Sequence, residues 1–124
     1  MSKILMSINP KYVDEIISRN KRYEYRKIKV KRNDIDKMII YCTSPIMKVV
    51  AEVDIEDILV DSPEKIWELT KEYSGTSKEF YDKYYKNSKY AVAYKLGNVK
   101  VYDKPLNLSD IGIDYVPQSF VYLD

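Results

Sequence analysis

Asn20-Lys21-Arg22-Tyr23-Glu24-Tyr25-Arg26 is the stretch on which the fold and the chemistry of this chain turn. Four charged side chains, Lys21, Arg22, Glu24 and Arg26, fall within six residues, at a place where the pattern changes from helical to extended. Arg22 to Val30 alternates enough to predict a strand, and its two-residue period puts Glu24 and Arg26 on one face and Tyr23 and Tyr25 on the other. Upstream, Ile4 to Ile8 predicts a first strand. Asn9-Pro10 then opens a helix, with Asn9 as cap and Pro10 at the first helical position, where its missing N–H costs nothing. Val13, Ile16 and Ile17 supply that helix's apolar face, and Asn20 is the residue expected to take the left-handed conformation that ends it.

Downstream, Asp36 to Thr43 predicts an apolar strand halted by Thr43-Ser44-Pro45. Lys48 to Leu59 predicts a long strand with Val49, Ala51, Val53 and Ile55 inward. Ser62-Pro63-Glu64 opens a helix with Ile66, Leu69 and Tyr73 on one face, and Gly75 suits the position past its end. Thr76 and Glu79 stand at capping-box spacing before a second short helix carrying Phe80, Tyr81, Tyr84 and Tyr85. Tyr90 to Tyr94 and Val99 to Tyr102 predict a hairpin turning at Gly97-Asn98. Pro105 to Ile113 reads as a structured loop, and Ser119 to Leu123 as a closing strand. Short connections between strands and only three brief helices predict an α+β barrel of about six strands, in one domain spanning residues 1–124.

Composition removes several classes of function. There is no histidine, so Ser-His-Asp and Cys-His triads and imidazole-bound zinc are excluded. The one cysteine, Cys42, can form neither an internal disulfide nor a thiolate metal cluster, and reads as an inert core thiol. No metal and no cofactor is expected. No stretch reaches the roughly 20 apolar residues of a membrane span, and the first residues do not form a signal peptide, so a cytoplasmic protein without membrane contact is expected. The net charge of +2 is modest, but eight cations lie between Arg19 and Arg32 against the lone acid Glu24, whereas Glu52 to Glu72 is dominated by acids. Such a local basic segment can neutralise phosphates, or it can be a solvated charged strand and loop. Thirteen tyrosines are unusual in 124 residues. Tyrosine stacks on bases, but Tyr73, Tyr81, Tyr84 and Tyr85 in the helical stretch are expected to pack as an amphipathic core.

Four blocks in order carry a resemblance: Ile4 to Tyr12, Asn20 to Arg26, Tyr41-Cys42-Thr43-Ser44-Pro45, and Pro117 to Leu123. Together they resemble the ASCH family of PUA-like domains over essentially the whole chain. The family's Gly-x-Lys-x-x-Glu-x-Arg pattern is matched at Lys21, Glu24 and Arg26, with Asn20 where glycine is usual. The resemblance implies a PUA-like mixed barrel and a cleft between barrel and first helix in which those three residues project beside the Thr43 turn. It further implies RNA or a modified nucleobase as partner, with Lys21, Glu24, Arg26, Tyr41, Thr43, Ser44, Gln118 and Ser119 as the contact set.

Chemically, Lys21 is a point charge for phosphate, Arg26 a planar fork for phosphate or a base edge, and Glu24 an acceptor for an exocyclic amino group. The plain alternative is a Glu24–Arg26 salt bridge on one strand face with Lys21 solvated. One branch of the family resembles amidohydrolases of acetylated cytidine that use a lysine with a threonine three residues later. That position is Glu24 here, so the acyl-enzyme route does not carry over. A small hydrolase of the amidohydrolase or ribonuclease kind, working through Lys21 and Glu24, is thus the second reading, and whether the chain is an enzyme stays open. A protein-binding adaptor using the tyrosines from Tyr73 to Tyr90 is the third, and it requires those rings to be exposed.

Overall fold

Strand β1, Ser2–Ile8, buries nearly every residue, and the computed structural model, which describes residues 2–123, shows why. β1 runs parallel to β3, Ile35–Cys42, on one side and antiparallel to β6, Phe120–Leu123, on the other. β3 pairs with β4, Lys48–Asp61, and β4 pairs along its length with β5, Ala91–Leu106. β2, Tyr23–Arg26, adds antiparallel to the start of β5. The six strands form one mixed sheet in the order β2-β5-β4-β3-β1-β6, curled into a half-barrel.

The inner face gathers Ile4, Met6, Ile8, Met38, Ile40, Ala51 and Val53, and helix α1, Pro10–Ile17, lays Val13 and Ile16 onto it. Asn9 caps α1 as its sequence requires, accepting from Lys11 N at 3.0 Å. Helices α2, Pro63–Thr70, and α3, Lys78–Tyr84, cover the opposite face of the β2–β5 end, where Ile66, Trp67, Tyr81 and Tyr85 pack on Tyr25, Ala91 and Ala93. A third cluster, Leu5, Ile39, Tyr41 and Val49, lies under Leu108, Ile111 and Ile113 on the outer face.

Several expectations are corrected. The chain from Ala91 to Leu106 is one continuous strand and does not turn at Gly97-Asn98, because β4 partners it from Asp61↔Ala91 to Val49↔Leu106. Gly97 serves a close approach: a Cβ there would lie 2.8 Å from Glu56 Oε2. Val49 sits on the outer face, not with Ala51 and Val53, because register shifts at Ile40/Tyr41 and Val49/Ala51 reverse the alternation. Ser77, not Thr76, caps α3, accepting from Phe80 N at 3.1 Å. Arg19, at φ +68°, takes the left-handed position after α1 in place of Asn20. In α2 the buried residues are Ile66, Trp67 and Thr70, while Leu69 is exposed. The strand predicted to reach Val30 stops at Arg26, and residues beyond it are held by side chains: Tyr94 OH accepts from Val30 N at 3.1 Å and donates to Ile28 O at 3.2 Å, and Lys31 N donates to Tyr122 OH at 3.0 Å.

Candidate functional site

Lys21 reaches the site by being clamped on both sides. Its backbone N donates to Glu15 O at the end of α1, and it bridges to Ser74 in the loop between α2 and α3. Gly75, at φ +66°, makes room for the lysine stem; a Cβ there would lie 2.3 Å from Lys21 Cβ. So confined, Lys21 is 3% exposed. Its Nζ donates to Ser74 O at 2.8 Å and lies 4.6 Å from the Tyr25 ring centroid and 5.3 Å from that of Tyr12. No carboxylate among the described residues pairs with it. Burial pushes the amine's pKa below its ordinary value, the nearby Glu24 charge opposes that, and Arg26 reinforces it.

Glu24 and Arg26 share a strand face, as their spacing requires. Arg26 Nε donates to Glu24 Oε2 at 2.9 Å, and one terminal nitrogen lies 2.8 Å from that oxygen as an ion pair while donating to Ser7 O on β1 at 2.8 Å. Arg26 therefore ties β2 to β1 across the open side of the half-barrel, and its fork is largely committed. Glu24 is 6% exposed, and its second oxygen, Oε1, makes no hydrogen bond among the described residues.

These three side chains converge on a cavity of about 190 Å³ at the junction of β1, α1, β2 and α3. Its walls are aromatic: Tyr12, Tyr25, Phe80, Tyr81 and Tyr84, with Ile8. Asn9, Lys21, Glu24, Arg26 and Thr76 supply polar groups. Tyr25 belongs to the wall despite facing away from Glu24 along the strand. β2 is the terminal strand of the sheet, so a cavity at its free edge is reached from both faces. Thr70 Oγ1 donates to Ile66 O at 2.7 Å, so the Tyr25 hydroxyl is the donor in its 2.7 Å bond to Thr70. Burial pushes the Tyr25 pKa up to about 12, keeping the ring neutral.

The other expected contacts lie outside this wall. Tyr41 is 2% exposed in the outer-face cluster, turned away from the cavity by the strand's alternation. Thr43 stands one bond away, its N donating to Ile8 O at 3.0 Å, while Ser44 is exposed in the turn beyond. Gln118 and Ser119 are exposed, although Ser119 O accepts from Ser7 N at 3.0 Å, on the same residue whose carbonyl holds Arg26. Lys21 is not solvated, which removes that part of the plain alternative, whereas the Glu24–Arg26 bridge is present.

Sequence reasoning missed Tyr12, Phe80 and Tyr84 as wall residues. Phe80 and Tyr84 are four apart on α3 and form a stripe separate from the buried pair Tyr81 and Tyr85, a split the helical period contains. Tyr81 and Tyr85 are buried and Tyr84 half-buried, so the contiguous exposed patch an adaptor needs is absent among the described residues. Trp67 packs on Tyr81, with centroids 4.8 Å apart, and not on the cavity. The described residues hold no helix long and apolar enough to cross a membrane, and no group of three histidine, cysteine or acidic side chains placed to hold a metal.

The ASCH domain family model matches residues 6–100, which include Lys21, Glu24 and Arg26. The crystal structure of ASCH from Zymomonas mobilis superposes with a TM-score of 0.87 at 23% identity, covering 98% of this chain and 87% of that one. A mutant of the same protein gives 0.88 at 22% identity, covering 100% and 91%. At that identity the likeness fixes the fold, which is the PUA-like α+β half-barrel. Two curated relatives come from Ureaplasma parvum serovar 3. The large ribosomal subunit protein uL22 is 33% identical over 91 residues, 73% of this chain and 29% of that protein. The ATP synthase subunit alpha is 30% identical over 121 residues, 97% of this chain and 15% of that protein. The chain thus spans less than a third of the length of these relatives.

Proposed function

Because this chain belongs to the ASCH domain family, whose PUA-like fold is generally linked to RNA binding, we propose that its cavity holds a single nucleobase of an RNA or a modified nucleoside. The observation that carries this reading is the pairing of an unshared carboxylate oxygen with an aromatic box. Glu24 is fixed by Arg26 through Oε2 alone, which leaves Oε1 as a pre-oriented acceptor for a ring amino or imino group. Lys21 Nζ offers a donor beside it for a ring nitrogen or carbonyl, and Tyr12, Tyr25 and Tyr84 offer stacking surfaces. Size points the same way: about 190 Å³ is below the roughly 300–1,000 Å³ of drug-sized pockets and suits one ring system. The ribosomal relative is consistent with an RNA partner, but the ATP synthase relative is not of that kind, so the weight rests on the cavity.

Glu24→Gln is the decisive variant, because its amide oxygen can keep the Arg26 bond while the outward group becomes a donor. Calorimetric titration with a panel of nucleosides is expected to find a ligand for the native protein that Glu24→Gln binds about tenfold or more weakly, about 1.4 kcal/mol. Equal affinity in a folded variant rejects the reading. A hydrolytic role is a second reading, favoured by one observation: a desolvated, carboxylate-free lysine beside the open oxygen of Glu24 is a donor and acceptor pair suited to acid–base work on an amide or phosphodiester. Turnover of an acetylated nucleoside or of single-stranded RNA, lost in Glu24→Gln, is its signature.

A further inference from the structure

The cations inside the cavity are already engaged by the protein's own acceptors. The Arg26 guanidinium is neutralised by Glu24 at 2.8 Å. Lys21 is the remaining interior cation, and burial lowers the pKa of its amine. A nucleotide placed with its base inward therefore meets unengaged cations for its phosphates at the rim. Two exposed lysines stand there. Lys11 Nζ lies 5.8 Å from the centroid of the Tyr12 ring, and Lys27 Nζ lies 4.9 Å from that of Tyr84, so each is seated over a ring that forms the cavity wall. They rise from different sides, Lys11 from the first turn of α1 and Lys27 from the residue that follows β2. Neither makes an ion pair among the described residues, whereas Lys65, Lys71 and Lys78 on α2, α3 and between them all do. The positive end of α1 opens on the same rim, since its cap Asn9 is a wall residue.

We propose that Lys11 and Lys27 are the phosphate contacts of this site, so that it takes a nucleotide within a single strand, base inward and flanking phosphates on the two lysines, in preference to a free nucleoside. This rests on the nucleobase reading of the cavity. A seated cation over a ring keeps its remaining N–H donors toward solvent, where a phosphate oxygen can meet them without desolvating the lysine. Two such contacts on separate walls fix the direction of the strand across the opening, while the base is recognised below.

The test is a salt titration of labelled single-stranded RNA binding, run beside nucleoside and 5′-monophosphate titrations. Proteins compared are the native chain, Lys11→Ala, Lys27→Ala, Lys11→Arg, Lys27→Arg, Glu24→Gln, and a control, Lys3→Ala, exposed at the other end of β1. Each alanine variant is expected to flatten the plot of log affinity against log salt by about 0.7, which lessens the loss between 50 and 200 mM salt by about two- to threefold. The arginine variants restore the slope, Lys3→Ala does not change it, and the weakening is confined to ligands that carry phosphate. Native slopes in both alanine variants, or a slope change for Lys3→Ala equal to theirs, overturn the proposal. If Glu24→Gln still loses nucleoside affinity in that case, the nucleobase reading stands without it. If the native protein binds neither strand nor nucleoside, both fall.

Discussion

Lys21 is charged less readily in the folded chain than in the unfolded one, because its amine is buried between two rings with no carboxylate partner. Between that lowered pKa and the ordinary value near 10.5 the unfolded chain binds more protons, so this residue makes stability rise with pH. Tyrosines act in the opposite sense at higher pH. Tyr25 is pushed up to about 12 and Tyr81 and Tyr85 are raised as well, so the folded state loses stability as pH climbs through the ordinary tyrosine value of 10.0 toward theirs. The Lys21 contribution is therefore read below pH 10. Denaturant titrations between pH 7 and 10 are expected to show a steeper rise in native stability than in Lys21→Met, and parallel curves would mean the lysine is not desolvated. The shared strand face of Glu24 and Arg26 was legible in their spacing and their gathering with Lys21 only in the family resemblance, and their division of labour was legible in neither. Arg26 lines the cavity and also holds Glu24 and Ser7 O, and the second tie was not visible because Ser7 lies on β1, nineteen positions earlier in the chain.

At the level of elements, the loop between α2 and α3 does as much for the site as the strand that carries its residues. Gly75→Ala sets a Cβ 2.3 Å from the Lys21 stem in a left-handed conformation that costs L-residues about 1–2 kcal/mol by itself. Stability is expected to fall by at least that amount, with nucleoside affinity falling alongside as Lys21 is displaced, and a variant as stable as the native protein would show that the loop yields freely. Gly75 was recognisable as a helix terminator, yet its pairing with Lys21 was not, since nothing local links residues fifty-four positions apart. Helices were foreseen from their caps and apolar spacing, whereas the turn expected at Gly97-Asn98 failed for a tertiary reason. A glycine that admits Glu56 looks in sequence like a glycine that turns a hairpin. Tyr41 lies on the outer face by the plain alternation of β3, with Ile39 and opposite Met38, Ile40 and Cys42, so its place away from the cavity follows from strand parity alone.

Across the molecule, the half-barrel is closed on its open side by tyrosine hydroxyls and one guanidinium. Tyr94 OH accepts the amide of Val30, which is 2% exposed, and donates to Ile28 O, while Tyr122 OH receives the amide of Lys31. Tyr94→Phe keeps the packing and strands the Val30 N–H, a loss of about 1–3 kcal/mol. Thermal denaturation is expected to show a midpoint lower by several degrees with the amide of Val30 losing protection from hydrogen exchange. An unchanged midpoint would mean that the segment after β2 is held by something else. Composition gave no hint of this use for the tyrosines, since their hydroxyl partners are backbone groups that any sequence presents.

Four residues at the C-terminal edge carry a wider responsibility. Among the described residues β6 pairs with β1 alone, at Lys3↔Leu123 to Met6↔Phe120, and all four of its residues are half-buried. Behind it Ile4, Leu5 and Met6 are completely buried. If this short strand peels away, a run of apolar backbone is left with unused donors and acceptors along one side, which is a template for pairing with a second chain. The strand is thus a guard against self-association, and truncation or tagging at this edge bears on solubility before it bears on ligand binding.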